Sequence, residues 1–594
     1  MTTADETGIE HVAAVRVFDA FRIYNRRFRE ITRRAIRHFE ARNWATSRLD
    51  AVQRIELYER SVAVVIQDLR QILGVRFDDR DAWVKIKNHY CDFISDEPDV
   101  AFYKTFFSSI TRRIFNTLGV DSGVEFLAMD VEPALDKERR LKTVSYRNRG
   151  ALRYVIDEIL ADLPFSQPFR DLDSTIRFIT AEIEACRASQ GDERPIDQIE
   201  LVPQLFYRGK RAYLVGRMLG EDWQLPLVIP FESGDDGLVS DAVILSDSDV
   251  SMLFGFTRSY FHVDLPVVER VVGFLHELLP GKPIDELYTV LGRAKQGKTE
   301  RYRALMRHLQ NSDDLFDFAP GTEGMVMQVF TLPSFNVVFK VIRDRFAYPK
   351  SIHRDEVKEK YTLVFNHDRA GRLVDAQEFR RLSFDVNRFG PQLLDGLVKD
   401  CSSNCHIEGD QLIVEHLYIE RRLTPLNLYL RNADTEAAND AVIDYGQAIR
   451  DLASSNIFTG DLLPKNFGVT RHGRVIFYDY DEVSFVTDCQ FREMPEPQDH
   501  YDEMRSGAWF YVGPNDVFPA QFLGCLGLSP EQRDVFQQFH GDLLTPAWWN
   551  RISTRISAGE LIDVLPYTAR SWVTRLSGAG RYASRSDIPA SAGA

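Results

Sequence analysis

Four residues in the last quarter of the chain could carry chemistry together. They lie in Gly460-Asp461-Leu462-Leu463-Pro464-Lys465-Asn466-Phe467-Gly468, which continues through VTRHGRVIFYDYDE to Asp479. Asp461 and Asn466 are five positions apart, Lys465 stands between them, and Asp479 follows Asn466 by thirteen. Phosphoryl transfer needs this kit: an Asp to orient and accept the proton of the attacking hydroxyl, an Asn and a second Asp to hold Mg²⁺ on the phosphates, and a Lys to offset charge. Taken singly, each residue also reads as a cap, a turn residue or a solvated acid. Their order is what points to chemistry.

Two upstream stretches compete to hold the nucleotide. Gly292 to Thr299, GRAKQGKT, fits the spacing of a P-loop. A P-loop, however, needs a buried strand running into its glycines so that helix N-terminal amides face the phosphates. Here Ile284, Leu287 and Leu291 mark a helical face instead, and ERYRALMRHL continues it. The second stretch, Ala319-Pro320-Gly321-Thr322-Glu323-Gly324-Met325-Val326-Met327-Gln328-Val329-Phe330, sets two glycines at a turn between β-rich flanks. That pattern describes a hairpin whose tip can lie over phosphates with its amides exposed. Lys340 follows in the apolar strand Phe339-Lys340-Val341-Ile342. It reads either as a snorkelling lysine or as a phosphate ligand.

The elements that must position these residues can be read from periodicity. LIVEHLYIE is a strand able to form a hinge for adenine, Ala441 to Leu452 an amphipathic helix leading into Asp461, and Arg471-His472-Gly473 the turn of a hairpin. RLVDAQEF, around Asp375, reads as a helix. From Glu10 to about Leu73, apolar residues recur at three and four (Val15, Phe18, Phe21, Tyr24, Phe28, Ile31), which predicts long amphipathic helices. The run RRFREITRRAIRHF reads as a solvated helix face. Between Leu201 and Leu265, LFYRGKRAYLVGRML, WQLPLVIPF and DAVILSDSDVSMLFGF predict a small sheet inserted among helices, with helical spacing returning at Val267. The tail SGAGRYASRSDIPASAGA is small and polar enough to fray.

At 594 residues the chain exceeds one core, so two or three domains are expected. With 73 basic and 88 acidic residues its net charge is −15, which disfavours attachment to nucleic acid or an anionic membrane. No apolar run approaches a membrane span and no leader pattern opens the sequence, so a cytoplasmic protein is expected. Six scattered cysteines suit reduced thiols, and Cys401-Ser-Ser-Asn-Cys405-His406 reads as a polar loop rather than a zinc site.

The loop DLLPKN resembles the catalytic loop of protein kinases. The larger blocks APGTEGMVMQVFTLP, VFKVIRDRFAYPK, HDRAGRLVDAQEF, HLYIERR, NIFTGDLLPKNFGVTRHGRVIFYDYDE and FGFTRSYF, running from about residue 205 to 485, resemble the bacterial isocitrate dehydrogenase kinase/phosphatases. The resemblance implies a bifunctional enzyme that phosphorylates a serine of isocitrate dehydrogenase, inactivating it, and removes that phosphate again. Carbon flow would thereby divide between the citric acid cycle and the glyoxylate bypass. It implies ATP and Mg²⁺ as cofactors and AMP as an allosteric effector. By position, it assigns Ala319, Pro320, Gly321, Thr322, Glu323, Gly324 and Met325 to the ATP loop and Lys340 to ATP. It also assigns Asp461 to catalysis, Asn466 and Asp479 to the metal, and Asp375 to the phosphatase direction, while Lys465 joins the catalytic residues from its place between Asp461 and Asn466.

The sequence departs from ordinary protein kinases in four places. The loop has two glycines rather than three, Gly460-Asp461 replaces His-Arg-Asp, Tyr480-Asp481 replaces Phe-Gly, and the Ala-Pro-Glu signature is missing. Asp481 and Glu482 add carboxylates nearby. Glu356, Glu359 and Glu378 are all candidates to pair with Lys340. The expected architecture is α+β: a mainly helical regulatory domain with a small β insert over residues 1–312, then a bilobal kinase-like domain over 313–594. Isocitrate dehydrogenase is the expected partner, without nucleic acid or membrane and with a homodimer left open. A small-molecule phosphotransferase and a pseudokinase scaffold are the rivals.

Overall fold

A computed structural model describes residues 6–126, 140–255, 260–348, 352–367, 369–496, 510–565 and 567. The chain divides into two compact units. The first comprises Met1–Asp314, Arg380–Asp385 and Glu408–Glu415; the second comprises Leu315–Phe379, Val386–Ile407 and His416–Ala594.

In the first unit the spacing of three and four does form long helices, Glu6–Arg33 and Trp44–Leu73. Val17, Phe21, Tyr24, Phe28 and Ile31 are buried on one face of the first, and Val62, Val65 and Leu69 on one face of the second. Asn43 starts the second helix by accepting from the Thr46 amide, and Gly74 at φ 54° ends it. The arginine run is not wholly solvated. Arg29 and Arg33 both donate to Asp264, while Arg34 and His38 hold buried Asp50.

The inserted sheet is antiparallel, in the order Val144–Arg147, Gln198–Leu201, Arg211–Leu219, Gln224–Gly234, Gly237–Ser240, with Phe206–Arg208 paired to Arg211–Leu219. It thus begins well before Leu201, and the helices Leu152–Ala161 and Leu172–Ser189 share its core through Val155, Ile159, Ile179 and Ile183. DAVILSDSDVSMLF also departs from the expected strand: Asp247–Leu253 is a helix, because Ser246 accepts from the Asp249 amide and caps it. Of FGFTRSYF, residues 256–259 lie outside the described residues, as does the tail from 568 onward.

Only Gly292 and Arg293 of GRAKQGKT lie between the helices Ile284–Val290 and Ala294–Asn311; the rest of the stretch opens the second helix, and the element that precedes it is a helix rather than a strand. Both glycines answer to packing. Gly292 sits at φ 81°, and a Cβ there would lie 2.4 Å from an Arg54 nitrogen. A Cβ at Gly297 would lie 2.2 Å from the Thr289 hydroxyl and 2.6 Å from the Asp285 carbonyl, so the two helices cross at the point where a side chain is missing.

In the second unit a sheet is formed, in order, by residues 377–379, residues 416–421, Phe335–Ile342, Met327–Leu332 and Asp317–Phe318. A helical half follows, built around Thr435–Ser454, whose Val442, Tyr445, Ile449 and Leu452 pack with Phe536 of Pro530–His540 and Trp549 of Pro546–Ser557. The whole is therefore α+β, a helical region with a small sheet followed by a half that holds a second sheet and its own helices. His540 fills the space left by Gly446, where a Cβ would lie 2.1 Å from its ring. Its Nδ1 accepts from Arg450 and its Nε2–H donates to the Ile443 carbonyl, at 3.0 and 2.8 Å. Burial, aided by the Arg450 charge, lowers its pKa to about 3.

Two outcomes follow from this packing. Lys298→Ala leaves nucleotide affinity within about twofold, whereas Gly297→Val lowers unfolding stability by roughly 1–3 kcal/mol through overpacking; calorimetric titration and melting measure the two. His540 is neutral when folded and protonates readily once unfolded. Its contribution is therefore complete above pH 6.5 and is lost as pH falls toward its folded value, at up to about 1.4 kcal/mol per pH unit. Between pH 7 and 5 the stability of His540→Gln falls less steeply than that of the unaltered protein in urea unfolding.

Candidate active site

The helix Thr435–Ser454, capped at its start by Asp434, hands the chain to Ile457–Phe458 and then to Thr459-Gly460-Asp461. Gly460 is at φ 74°, and a Cβ there would lie 2.7 Å from both Cβ and the carbonyl of Glu482. Only glycine lets the loop come so close to the segment that follows Asp479. The loop is then tied down from inside. The Tyr445 hydroxyl donates to the Leu462 carbonyl, the Leu463 amide donates to Asp461 Oδ1 at 2.9 Å, and Asn466 Nδ2 reaches the Asp461 carbonyl at 3.4 Å.

The expected hairpin forms, Phe467–Val469 against Val475–Phe477, turning at Gly473 with φ 75°. The Tyr478 amide donates to the Asn466 carbonyl at 3.1 Å and extends the ladder by one step, which brings Asn466 and Asp479 to the same end. Tyr478 makes two further links. Its carbonyl accepts from Lys340 Nζ at 2.7 Å, and its hydroxyl donates to the Lys465 carbonyl. Lys340, Lys465, Asn466 and Asp479 thus converge around one residue that the sequence reading passed over.

None of the three glutamates offered as partners holds Lys340. Its ammonium lies 2.7 Å from Glu420 Oε2. Strand register explains the choice: Tyr418 is opposite Lys340, so Glu420, two residues on, projects from the same face as a diagonal neighbour. Glu356 and Glu359 are exposed, and Glu378 lies 3.1 Å from His416 Nε2. The period-2 alternation of His416, Tyr418 and Glu420 was visible in the sequence; the register that aims it was not.

Ala319 to Met325 link Asp317–Phe318 to Met327–Leu332 as a hairpin connection. Pro320, Gly321, Thr322 and Glu323 are exposed, Gly321 takes φ 125°, and Arg343 pairs with Glu323. Such a tip fits an anion laid beneath it.

Asp375 is not on a helix. Leu373 forms a parallel bridge with Phe477, the Val374 amide donates to the Phe477 carbonyl, and the strand starts at Gln377. The pairing prevails over the helical pattern because Arg372, fully buried, anchors the segment. Arg372 bonds Asp444 and Asp451, seven residues apart on one helix, and the Val475 carbonyl. Its guanidinium holds the Asp444 carboxyl below its usual range despite burial. The Tyr480 hydroxyl donates to the Val374 carbonyl at 2.7 Å, so Asp375 follows a segment that is stitched to the chain on both sides of Asp479. Asp375 Oδ2 accepts from Gln377 at 2.9 Å.

Cys401 and Cys405 are buried at the two ends of the expected polar loop, a turn whose Ser402 and Ser403 are exposed and donate to Asp344, and burial pushes the Cys401 thiol up to about 12. Among the described residues no cluster of three His, Cys, Asp or Glu is placed to hold a metal. Asn466 and Asp479, one amide and one carboxylate at one hairpin end, fit Mg²⁺, which keeps waters and takes few protein ligands.

Removing the buried Arg372 cation strands two carboxylates. Arg372→Met therefore lowers stability by about 3–5 kcal/mol, and adding Asp444→Asn and Asp451→Asn recovers part of it, as read by denaturant unfolding.

With this geometry established, the chain can be set beside known proteins. The family model described as isocitrate dehydrogenase kinase/phosphatase (AceK) kinase domain matches residues 314–569, and the one described as its regulatory domain matches 14–313. An isocitrate dehydrogenase kinase/phosphatase of Anaeromyxobacter sp. (strain Fw109-5) is 45% identical over 564 residues, covering 95% of this chain and 98% of that one. The protein of the same name from Xanthomonas campestris pv. campestris (strain 8004) is 45% identical over 556 residues, covering 93% and 95%. Among solved structures, the ROP18 kinase domain in complex with AMP-PNP and sucrose aligns at a TM-score of 0.22 and 11% identity, over 43% of this chain and 93% of that one, too distant a likeness to bear on mechanism. On the family models and the relatives, the chain belongs to the isocitrate dehydrogenase kinase/phosphatase family.

Proposed function

We propose that this protein phosphorylates isocitrate dehydrogenase on a serine at the expense of ATP and also removes that phosphate, so that carbon flow between the citric acid cycle and the glyoxylate bypass follows the phosphorylation state. The observation that carries the reading is the convergence of Lys340, Lys465, Asn466 and Asp479 around Tyr478, with Asp461 joined to Asn466. Residues 313–594 are the catalytic domain and 1–312 the regulatory one, with AMP as the effector, in the cytoplasm.

In the kinase direction Asp461 orients the substrate hydroxyl and accepts its proton, Lys340 and the loop Ala319–Met325 hold ATP, and Asn466 and Asp479 would hold Mg²⁺. Bound there, the metal neutralises charge on the phosphates. Lys465 offsets charge on the transferred group. In the reverse direction a water attacks the phosphoserine, and Asp375, carried on the segment bridged to Phe477, orders that water.

Radiolabel transfer from ATP to purified isocitrate dehydrogenase tests the reading; no incorporation would overturn it. Asp461→Ala lowers kinase turnover about a hundredfold or more with nucleotide binding retained, and Asp479→Ala weakens Mg²⁺-dependent nucleotide binding. Asp375→Ala loses most dephosphorylation while keeping substantial kinase activity. Parallel losses in both directions, measured on one preparation, would remove Asp375 from that role.

A further inference from the structure

Lys340 is buried, with two anchors for its ammonium: the Tyr478 carbonyl and Glu420 Oε2, each 2.7 Å away. One of the two anchors lies in the sheet that carries Lys340. Glu420 belongs to the strand hydrogen-bonded to Lys340's own strand, and its side chain is 1% exposed. Tyr478 is the residue before Asp479. Among the described side chains of the helix Arg354–His367 no carboxylate reaches Lys340: Glu356 and Glu359 face solvent, and the buried residues are Val357, Tyr361 and Val364. Tyr361 docks that helix by aromatic contact, stacked on Tyr418 at 4.0 Å and edge-on to Tyr480 at 5.0 Å.

We infer that Glu420 is the positioning residue for Lys340 in the transfer reaction, so that the sheet and not the helix aims the lysine. The inference rests on the kinase reading proposed above. A buried ammonium stripped of its carboxylate is costly, and the flexible lysine stem can carry the charge away from its place to relieve that cost. Nucleotide binding in the ground state draws on the whole loop. A mis-aimed lysine is therefore felt chiefly where charge develops, in turnover rather than in affinity. The segment beyond Asp479 is held in the same fixed manner, by the pairing of Ile457 with Phe485 and Phe458 with Ser484. On this arrangement helix movement does not switch the lysine on or off.

The test compares Glu420→Gln, Glu420→Asp and the double variant Glu356→Gln/Glu359→Gln. Glu420→Gln is expected to lower kinase kcat about tenfold or more, the scale of a lost charge-assisted hydrogen bond, while KM for ATP moves less than about threefold. Glu420→Asp recovers part of the loss, and the helix variant stays within about twofold of the unaltered protein. A crystal structure of Glu420→Gln should show Lys340 Nζ withdrawn from the Tyr478 carbonyl. This readout needs no transfer assay, so an unaltered protein without transfer counts against the kinase reading and leaves this one to be decided by the coordinates. Unchanged kcat with Lys340 in place, or a tenfold loss in the helix variant, would overturn the assignment. Should Glu420→Gln fail to fold, the silent helix variant and the partial activity of Glu420→Asp decide it alone.

Discussion

The site depends on a buried cation. Lys340 sits in an apolar strand, where an ammonium is tolerated only when charge and hydrogen bonds meet it. Glu420 supplies the charge and the Tyr478 carbonyl supplies the second acceptor. Because Tyr478 also bonds Asn466 through its amide and Lys465 through its hydroxyl, satisfying Lys340 fixes the register of the hairpin that carries Asp479. The sheet and the helical half of the second unit are tied together at the point where the proposed reaction would take place.

Close backbone approach is the second constraint, and glycine meets it. Gly460 lets the Asp461 loop lie against Glu482, and Gly468 leaves the Tyr478 ring and Leu423 the space a side chain would take. Where protein kinases place the Arg of His-Arg-Asp, this chain has a residue whose value is the absence of a side chain. An arginine there could bind a phosphate on an activation segment; a glycine cannot, and direct backbone proximity to Glu482 takes its place.

Much of this was legible in the sequence where the determinant is local. The helical spacing of Phe21, Tyr24 and Phe28, the two-glycine hairpin after Phe318, the turn at Gly473 and the order Asp461, Lys465, Asn466, Asp479 all depend on neighbours a few residues apart. The Ser246 cap was also local, yet the β-rich composition of DAVILSDSDVSMLF outweighed it in the reading. Glu420, Tyr478 and the extended course of Asp375 were hidden because each is set by a partner more than seventy residues away: the register of Gln411–Arg421 on Lys340, the Lys340 ammonium itself, and the strand that pairs with Leu373. Alternation shows which residues share a face, but only strand order shows what that face meets.

The distance between Asp375 and the hairpin in sequence also bears on how one site could run in two directions. Arg372 joins the Asp375 segment to the helix that precedes Asp461 and to Val475 of the hairpin, so Asp375 is held by the same frame as the groups assigned to the forward reaction. A frame shared in this way gives neither direction a separate scaffold to open or close. On the proposed reading, then, the choice between adding and removing phosphate falls to what enters the fixed site as nucleophile, a serine hydroxyl oriented by Asp461 or a water ordered by Asp375. A regulator would act by deciding which of the two is admitted, with Lys340 and the metal ligands left where the sheet and hairpin hold them.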